Sequence, residues 1–177
     1  MKNILILLTL CFLIGCKSKK DVSSGKPTAS SKSNKVEKLT EAKMDFEQRD
    51  RITALGKQIL MTCNTSKFKP LTDKEATPEV RKNMTIERLT KTCLKFKLKY
   101  GDFRDLHFIE AYKDIVEKST IYRYKALYAK KIANKELRII VNENDQISAV
   151  NSKDWKDEFL KPEVKKSDAK ANPEAKK

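Results

Sequence analysis

Apolar residues follow three rhythms along this chain, and each rhythm marks a different part of it. From Ile4 to Ile14 they run nearly unbroken, interrupted by Thr9. Further on they return every three or four residues. Ile52, Leu55, Ile59 and Cys63 share one face of a helix, with Glu47, Arg49, Asp50, Arg51 and Lys57 on much of the rest. Thr40 followed by Glu41 offers that helix a start, a capping hydroxyl with an acid in the first turn. Asn64 and the stretch from Lys67 to Lys74, broken by Pro70, end it. Thr77-Pro78-Glu79 opens a short helical turn, because proline suits the first helical position. Thr85, with Glu87 behind it, starts another helix. There Ile86, Leu89, Cys93, Phe96 and Tyr100 align on one face, and Gly101 is the stop.

Beyond Gly101 the period changes. Phe103 to Tyr112 fits helix or strand, with Leu106, Phe108 and Tyr112 on one parity. Ser119 to Ala129 sets Tyr122, Tyr124, Ala126 and Tyr128 against Arg123, Lys125 and Leu127. Glu136 to Val141 turns Leu137, Ile139 and Val141 inward, and Asn142-Glu143-Asn144-Asp145 makes a tight return to the segment Gln146 to Val150. Trp155 and Phe159 are expected to fasten a short closing helix to the sheet. Helices first and strands afterwards predict an α+β domain with an antiparallel meander covered on one face. This order resembles the cystatin-like or nuclear-transport-factor-2-like superfamily, and within it small bacterial domains of unknown function. The pieces that carry the likeness are Thr77 to Val80, Met84-Thr85, Tyr100 to Phe103 and Ile121 to Val141. The resemblance implies N-terminal helices packed on a curved antiparallel sheet; it speaks for a fold more than for an activity.

The opening segment changes the picture of where the chain resides. Its eleven residues rise roughly 16 Å as helix, about half the hydrocarbon thickness of a bilayer, so it does not span one. With Met1-Lys2-Asn3 before it and a small residue at its end, it reads as a secretory signal. Leu13-Ile14-Gly15-Cys16 resembles the lipobox of bacterial lipoproteins. That resemblance implies diacylglycerol on the Cys16 sulfur, cleavage just before it, and two or three acyl chains, palmitate among them. Such a chain is anchored to a membrane of the cell envelope without spanning it. Lys-Ser-Lys-Lys-Asp after the cysteine, where an acidic cluster would mark export to the cell surface, favours the periplasmic side. Residues 17–40 hold seven lysines and six serines, too few apolar groups for a core. The expected organisation is a signal at 1–15, a lipid-anchored flexible tether at 16–40, an α+β domain at 41–160 and a disordered basic tail at 161–177.

Composition narrows the chemistry. The formal charge is +15, but residues 1–40 hold eight basic residues against two acidic, and 161–177 six against three. The excess is spread without a dense stripe, which argues against a nucleic-acid partner and leaves a general attraction to anionic surfaces. After processing, the domain keeps Cys63 and Cys93. Both a disulfide and two core cysteines fit an exported domain. With a single histidine, no metal cluster and no cofactor motif are evident. His107, with Glu110 three residues on, is the one candidate base, against a plain structural histidine. There is no Gly-x-Ser-x-Gly elbow, and no catalytic residue is assigned. Tyr122, Tyr124 and Tyr128 share a face and either line a ligand pocket or pack as core. The reading is a non-enzymatic envelope protein that binds a small ligand or another envelope component. The alternative is a small hydrolase, isomerase or cyclase-like enzyme using the pocket between sheet and helices.

Overall fold

A computed structural model describes residues 36–159. The signal at 1–15, Cys16, the tether up to residue 35 and the tail at 161–177 lie outside the described residues. The elements are β1 (Val36–Lys38), α1 (Phe46–Thr65), α2 (Pro78–Asn83), α3 (Ile86–Tyr100), β2 (Phe103–Asp114), β3 (Ser119–Tyr128), β4 (Lys135–Val141) and β5 (Ile147–Asp154). The strands form one antiparallel sheet in the order β1-β2-β3-β4-β5. The domain is α+β, as the change of period predicts.

Four local features depart from expectation. Val36–Lys38, placed in the tether by composition, pairs with β2, and Leu39 N donates to Ala111 O at 2.8 Å. Thr40 caps only a 3-10 turn at Glu41–Lys43, without a side-chain bond. The long helix starts later, where Asp45 accepts from Gln48 N at 2.9 Å. A carboxylate is the better acceptor at the positive end of a helix. The ambiguous Phe103 segment is a strand, and its register shifts between Phe108 and Glu110. That bulge changes the parity, so Ala111 is fully buried in the core while Tyr112 turns away from Phe108 and stacks on Phe159 at 4.0 Å. Finally, residues 155–159 are not helical. Trp155 N donates to Asn134 O at 2.9 Å, and the rings of Trp155 and Phe159 lie over arginines of the sheet.

The other signals act where they were read. In α1, Ile52, Leu55 and Ile59 are buried, and Ser66 ends the helix in the left-handed region at φ 56°. Asn64 ties the helix to the first residue of β2, donating to Phe103 O at 2.7 Å and accepting from Phe103 N at 2.9 Å. Thr85 caps α3 and Gly101, at φ 78°, ends it. Asn142 N donates to Gln146 O at 2.9 Å across the last hairpin, with Asp145 at φ 64°. Gly56 sets how closely α1 approaches the sheet. A Cβ there would stand 2.9 Å from Leu106 Cδ2 and 3.0 Å from Ile139 Cδ1. The core then fills with Ile52, Leu55, Leu106, Tyr124, Leu137 and Ile139.

Candidate functional site

A cavity of about 410 Å³ opens where the second half of α1, α2 and α3 meet β4 and β5. Ile59 and Leu60 reach it from α1, and Val80 from α2. Leu89 and Phe96 come from α3, and Tyr128, Leu137 and Val150 from the sheet. Glu79, Asn83, Arg88, Thr92, Ser148 and Ser152 add polar groups to the lining. The walls are fixed by specific ties. Cys63 and Cys93 form a disulfide with Cα atoms 4.7 Å apart, which joins α1 to α3. Thr77 N donates to Ile147 O at 3.0 Å and Ile147 N to Glu75 O at 2.9 Å, which holds the start of α2 against β5. Arg88 Nη1 donates to Asn83 Oδ1 beside the lining. Apolar walls with a few polar groups suit a small amphiphile, its apolar body inside and its polar end at those groups.

The tyrosines divide between the two readings open to them. Tyr122 and Tyr124 are fully buried beneath α1 and do not line the cavity. Tyr122 donates its hydroxyl to Gln48 Oε1 at 2.5 Å, and Tyr124 Oη lies 3.3 Å from Thr53 Oγ1. Their hydroxyls are satisfied by the helix, so the rings act as core. Burial pushes the Tyr124 phenol up to about 12 and raises that of Tyr122 further. Only Tyr128 reaches the cavity, with Phe96, Tyr100 and Phe103 packed within 6.0 Å of its ring. Burial pushes its phenol up to about 12 as well, so the hydroxyl stays protonated and neutral at pH 7.

His107 sits on the face of β2 away from the cavity. It is exposed, with Nε2 3.2 Å from Asp105 Oδ2, and Asp105 also pairs with Lys57 at 2.7 Å. The Lys57 hydrogen bond, then the Leu106 amide, lower the Asp105 carboxyl. The bulge turns Glu110 to the same face as His107, yet Glu110 is taken up by Arg123 and by Lys38, the latter at 2.6 Å. His107 therefore has no buried acid partner. Among the described residues no group of three or more His, Cys, Asp or Glu side chains is placed to hold a metal ion.

A second buried group went unread in the sequence. Arg123, Glu136 and Arg138 are at most 1% exposed on the face of the sheet opposite α1. Arg123 meets Glu136 at 3.1 and 3.0 Å and also bonds Glu110, while Arg138 Nε donates to Glu136 Oε1 at 2.7 Å. Arg123 Nη2 donates to Lys156 O at 2.6 Å. The Arg123 guanidinium lies 4.5 Å from the Trp155 ring centre, and that of Arg138 lies 4.8 Å from Phe159. Burial pushes the Glu136 carboxyl up, but hydrogen bonds from Arg123 and Arg138 outweigh it and hold the group below its ordinary value. The signal available was charges alternating inside otherwise apolar strands, with two aromatic residues just downstream. Alternation alone assigns such positions to solvent.

The chain matches no protein family, no curated protein and no solved structure. Among the described residues, no helix is long and apolar enough to cross a membrane.

Proposed function

We propose that this chain is a lipid-anchored protein of a bacterial cell envelope, held through Cys16, whose domain binds a small amphiphilic ligand without transforming it. The finer reading of the fold is cystatin-like, with one strand, a long helix and then a four-strand meander in the order β1-β2-β3-β4-β5. In that reading α2 and α3 are additions that deepen one end of the layer between helix and sheet. The anchor is supported by Leu13-Ile14-Gly15-Cys16 behind a signal too short to span a bilayer.

The observation that carries ligand binding is the cavity of about 410 Å³, whose volume falls in the range of small-molecule sites. His107, the one candidate base, does not line it. Native mass spectrometry of the protein released from membranes tests for a bound amphiphile. A fluorescent fatty probe then reports affinity. Ser152 is exposed, so Ser152→Trp can fill the cavity without disturbing the core. It should weaken the probe at least about tenfold, equivalent to ~1.4 kcal/mol, with the melting temperature held. Full affinity in that variant, or turnover that His107→Ala abolishes, would overturn the reading. Cys16→Ser should move the protein from the detergent phase to the aqueous phase.

A further inference from the structure

The three most exposed large apolar side chains among the described residues are Leu98, Ile132 and Leu94, at 78%, 74% and 60%. They belong to one edge of the domain. Leu94 and Leu98 stand one turn apart on α3, and Ile132 lies in the turn between β3 and β4. That turn is fastened to the end of the helix: Lys130 Nζ donates to Leu98 O at 2.8 Å and Lys130 N to Tyr100 O at 3.0 Å. The buried face of α3 is spent on Cys93 and Tyr100, and Leu89 and Phe96 turn to the cavity. Leu94 and Leu98 therefore have nothing to do in the core.

The charges around these tips have one dominant sign. Lys91 and Lys95 lie at helical neighbour spacing from Leu94 and Leu98, so they flank the apolar pair on the same outward face. Lys97 and Lys99 follow on the last turn, and Lys130 and Lys131 lie in the turn beside Ile132. Glu87 is the only acid in α3, and of these lysines Lys97 is paired, with Asp102 at 3.2 Å. Two copies meeting through this face would set lysines against lysines, which costs several kcal/mol. A protein partner is disfavoured too, since such interfaces are enriched in aromatic and arginine anchors and poor in lysine. Aliphatic tips among lysines suit a different surface. The apolar ends enter the boundary between headgroups and acyl chains, while the flexible lysine stems carry their ammonium groups to phosphate.

We propose that the outer face of α3 and the β3–β4 turn form a docking surface for an anionic lipid bilayer. The surface acts independently of any modification at Cys16; together with the anchor proposed above, it would fix the orientation of the domain on the membrane. It also sets α3 between bilayer and cavity, because the opposite side of the same helix lines that cavity.

Lysine footprinting tests this on the full chain, mixed with vesicles of phosphatidylcholine alone or with added phosphatidylglycerol. Acetylation of Lys91, Lys95 and Lys131 by a water-soluble reagent should fall at least about five-fold on the anionic vesicles, relative to exposed Lys43 and Lys82. High salt should restore it. Leu94→Ser with Leu98→Ser and Ile132→Ser should abolish the shielding at an unchanged melting temperature. Flotation on phosphatidylcholine vesicles is read separately, since it reports the amino-terminal anchor; its loss would sink the anchor and leave the docking result standing. Equal reactivity in both vesicle types, or no flotation on anionic vesicles, overturns the docking surface. So does shielding in detergent that grows with protein concentration, which would assign the face to a second copy.

Discussion

On one face of β3 and β4, Tyr122, Tyr124, Leu137 and Ile139 lie under α1 at 2% exposure or less; on the other, Arg123, Glu136 and Arg138 are hidden just as completely. The inner face is held by area removed from water, with two phenol hydroxyls satisfied by the helix. The outer face is held by pairing: two guanidiniums around one carboxylate, with Trp155 and Phe159 over the cations. The two differ in how they fail. An apolar layer loses stability in proportion to the volume removed, whereas a buried charge that loses its partner faces its full desolvation cost.

The largest expected effect follows from that asymmetry. Glu136→Ala leaves Arg123 and Arg138 sharing a buried site with less anionic compensation, and urea denaturation should record a loss of about 3–5 kcal/mol. Replacing Glu136 with Leu together with Arg123→Met and Arg138→Met should recover most of it, because an apolar trio leaves neither guanidinium buried without its carboxylate. Acid titrates the same contrast gradually. Glu110 and Glu136 are held below their ordinary value of 4.5 in the fold, Lys38 lowering the first and Arg123 the second against the effect of burial. Their contribution is complete above that ordinary value and is lost as pH falls through the lowered folded values. Glu136→Gln should flatten this acid limb, and a melting series from pH 7 to about pH 3 checks it.

Above the inner face, reduction of Cys63–Cys93, or Cys63→Ser with Cys93→Ser, frees a loop across a separation of 30 residues. Chemical denaturation should show a loss of about 3.5 kcal/mol by the chain-entropy argument. Gly56→Leu forces a side chain into the space held by Leu106 and Ile139, and should cost about 1–3 kcal/mol in thermal unfolding. The smallest effect belongs to Tyr122→Phe, which removes one hydroxyl bond to Gln48 and should cost about 1 kcal/mol. If Tyr122→Phe costs as much as Glu136→Ala, the two faces do not differ as described.

What could be read from the chain follows the same division. The period of α1 and α3, the Thr85 and Gly101 boundaries and the alternation of β3 and β4 were legible, because each rests on local spacing or backbone preference. β1 was not, since three residues among lysines carry no period and gain their structure from pairing with β2. Tyr112 was misassigned because a bulge is a property of the pair of strands. The tyrosine face was read correctly as one face, but not where along the sheet it is open. Only Tyr128 meets the cavity, because α1 covers Tyr122 and Tyr124 while α2 and α3 frame the far end. The Arg123–Glu136 layer was hidden because a charged residue reads as solvent-facing until its partners are known.

The short first strand has a mechanical consequence. Tension applied through the amino-terminal end of the chain enters the fold at β1, which joins the sheet by three residue pairs, Val36 with Asp114, Glu37 with Lys113 and Lys38 with Tyr112. The β2–β3 ladder behind it is far longer and lies inside the sheet. Under load β1 peels first and frees its three residues from the sheet, while the cavity, bounded by helices and by β3 to β5, keeps its shape. Peeling also draws Lys38 off Glu110, so the pull is felt at the rim of the buried charges before it reaches the core.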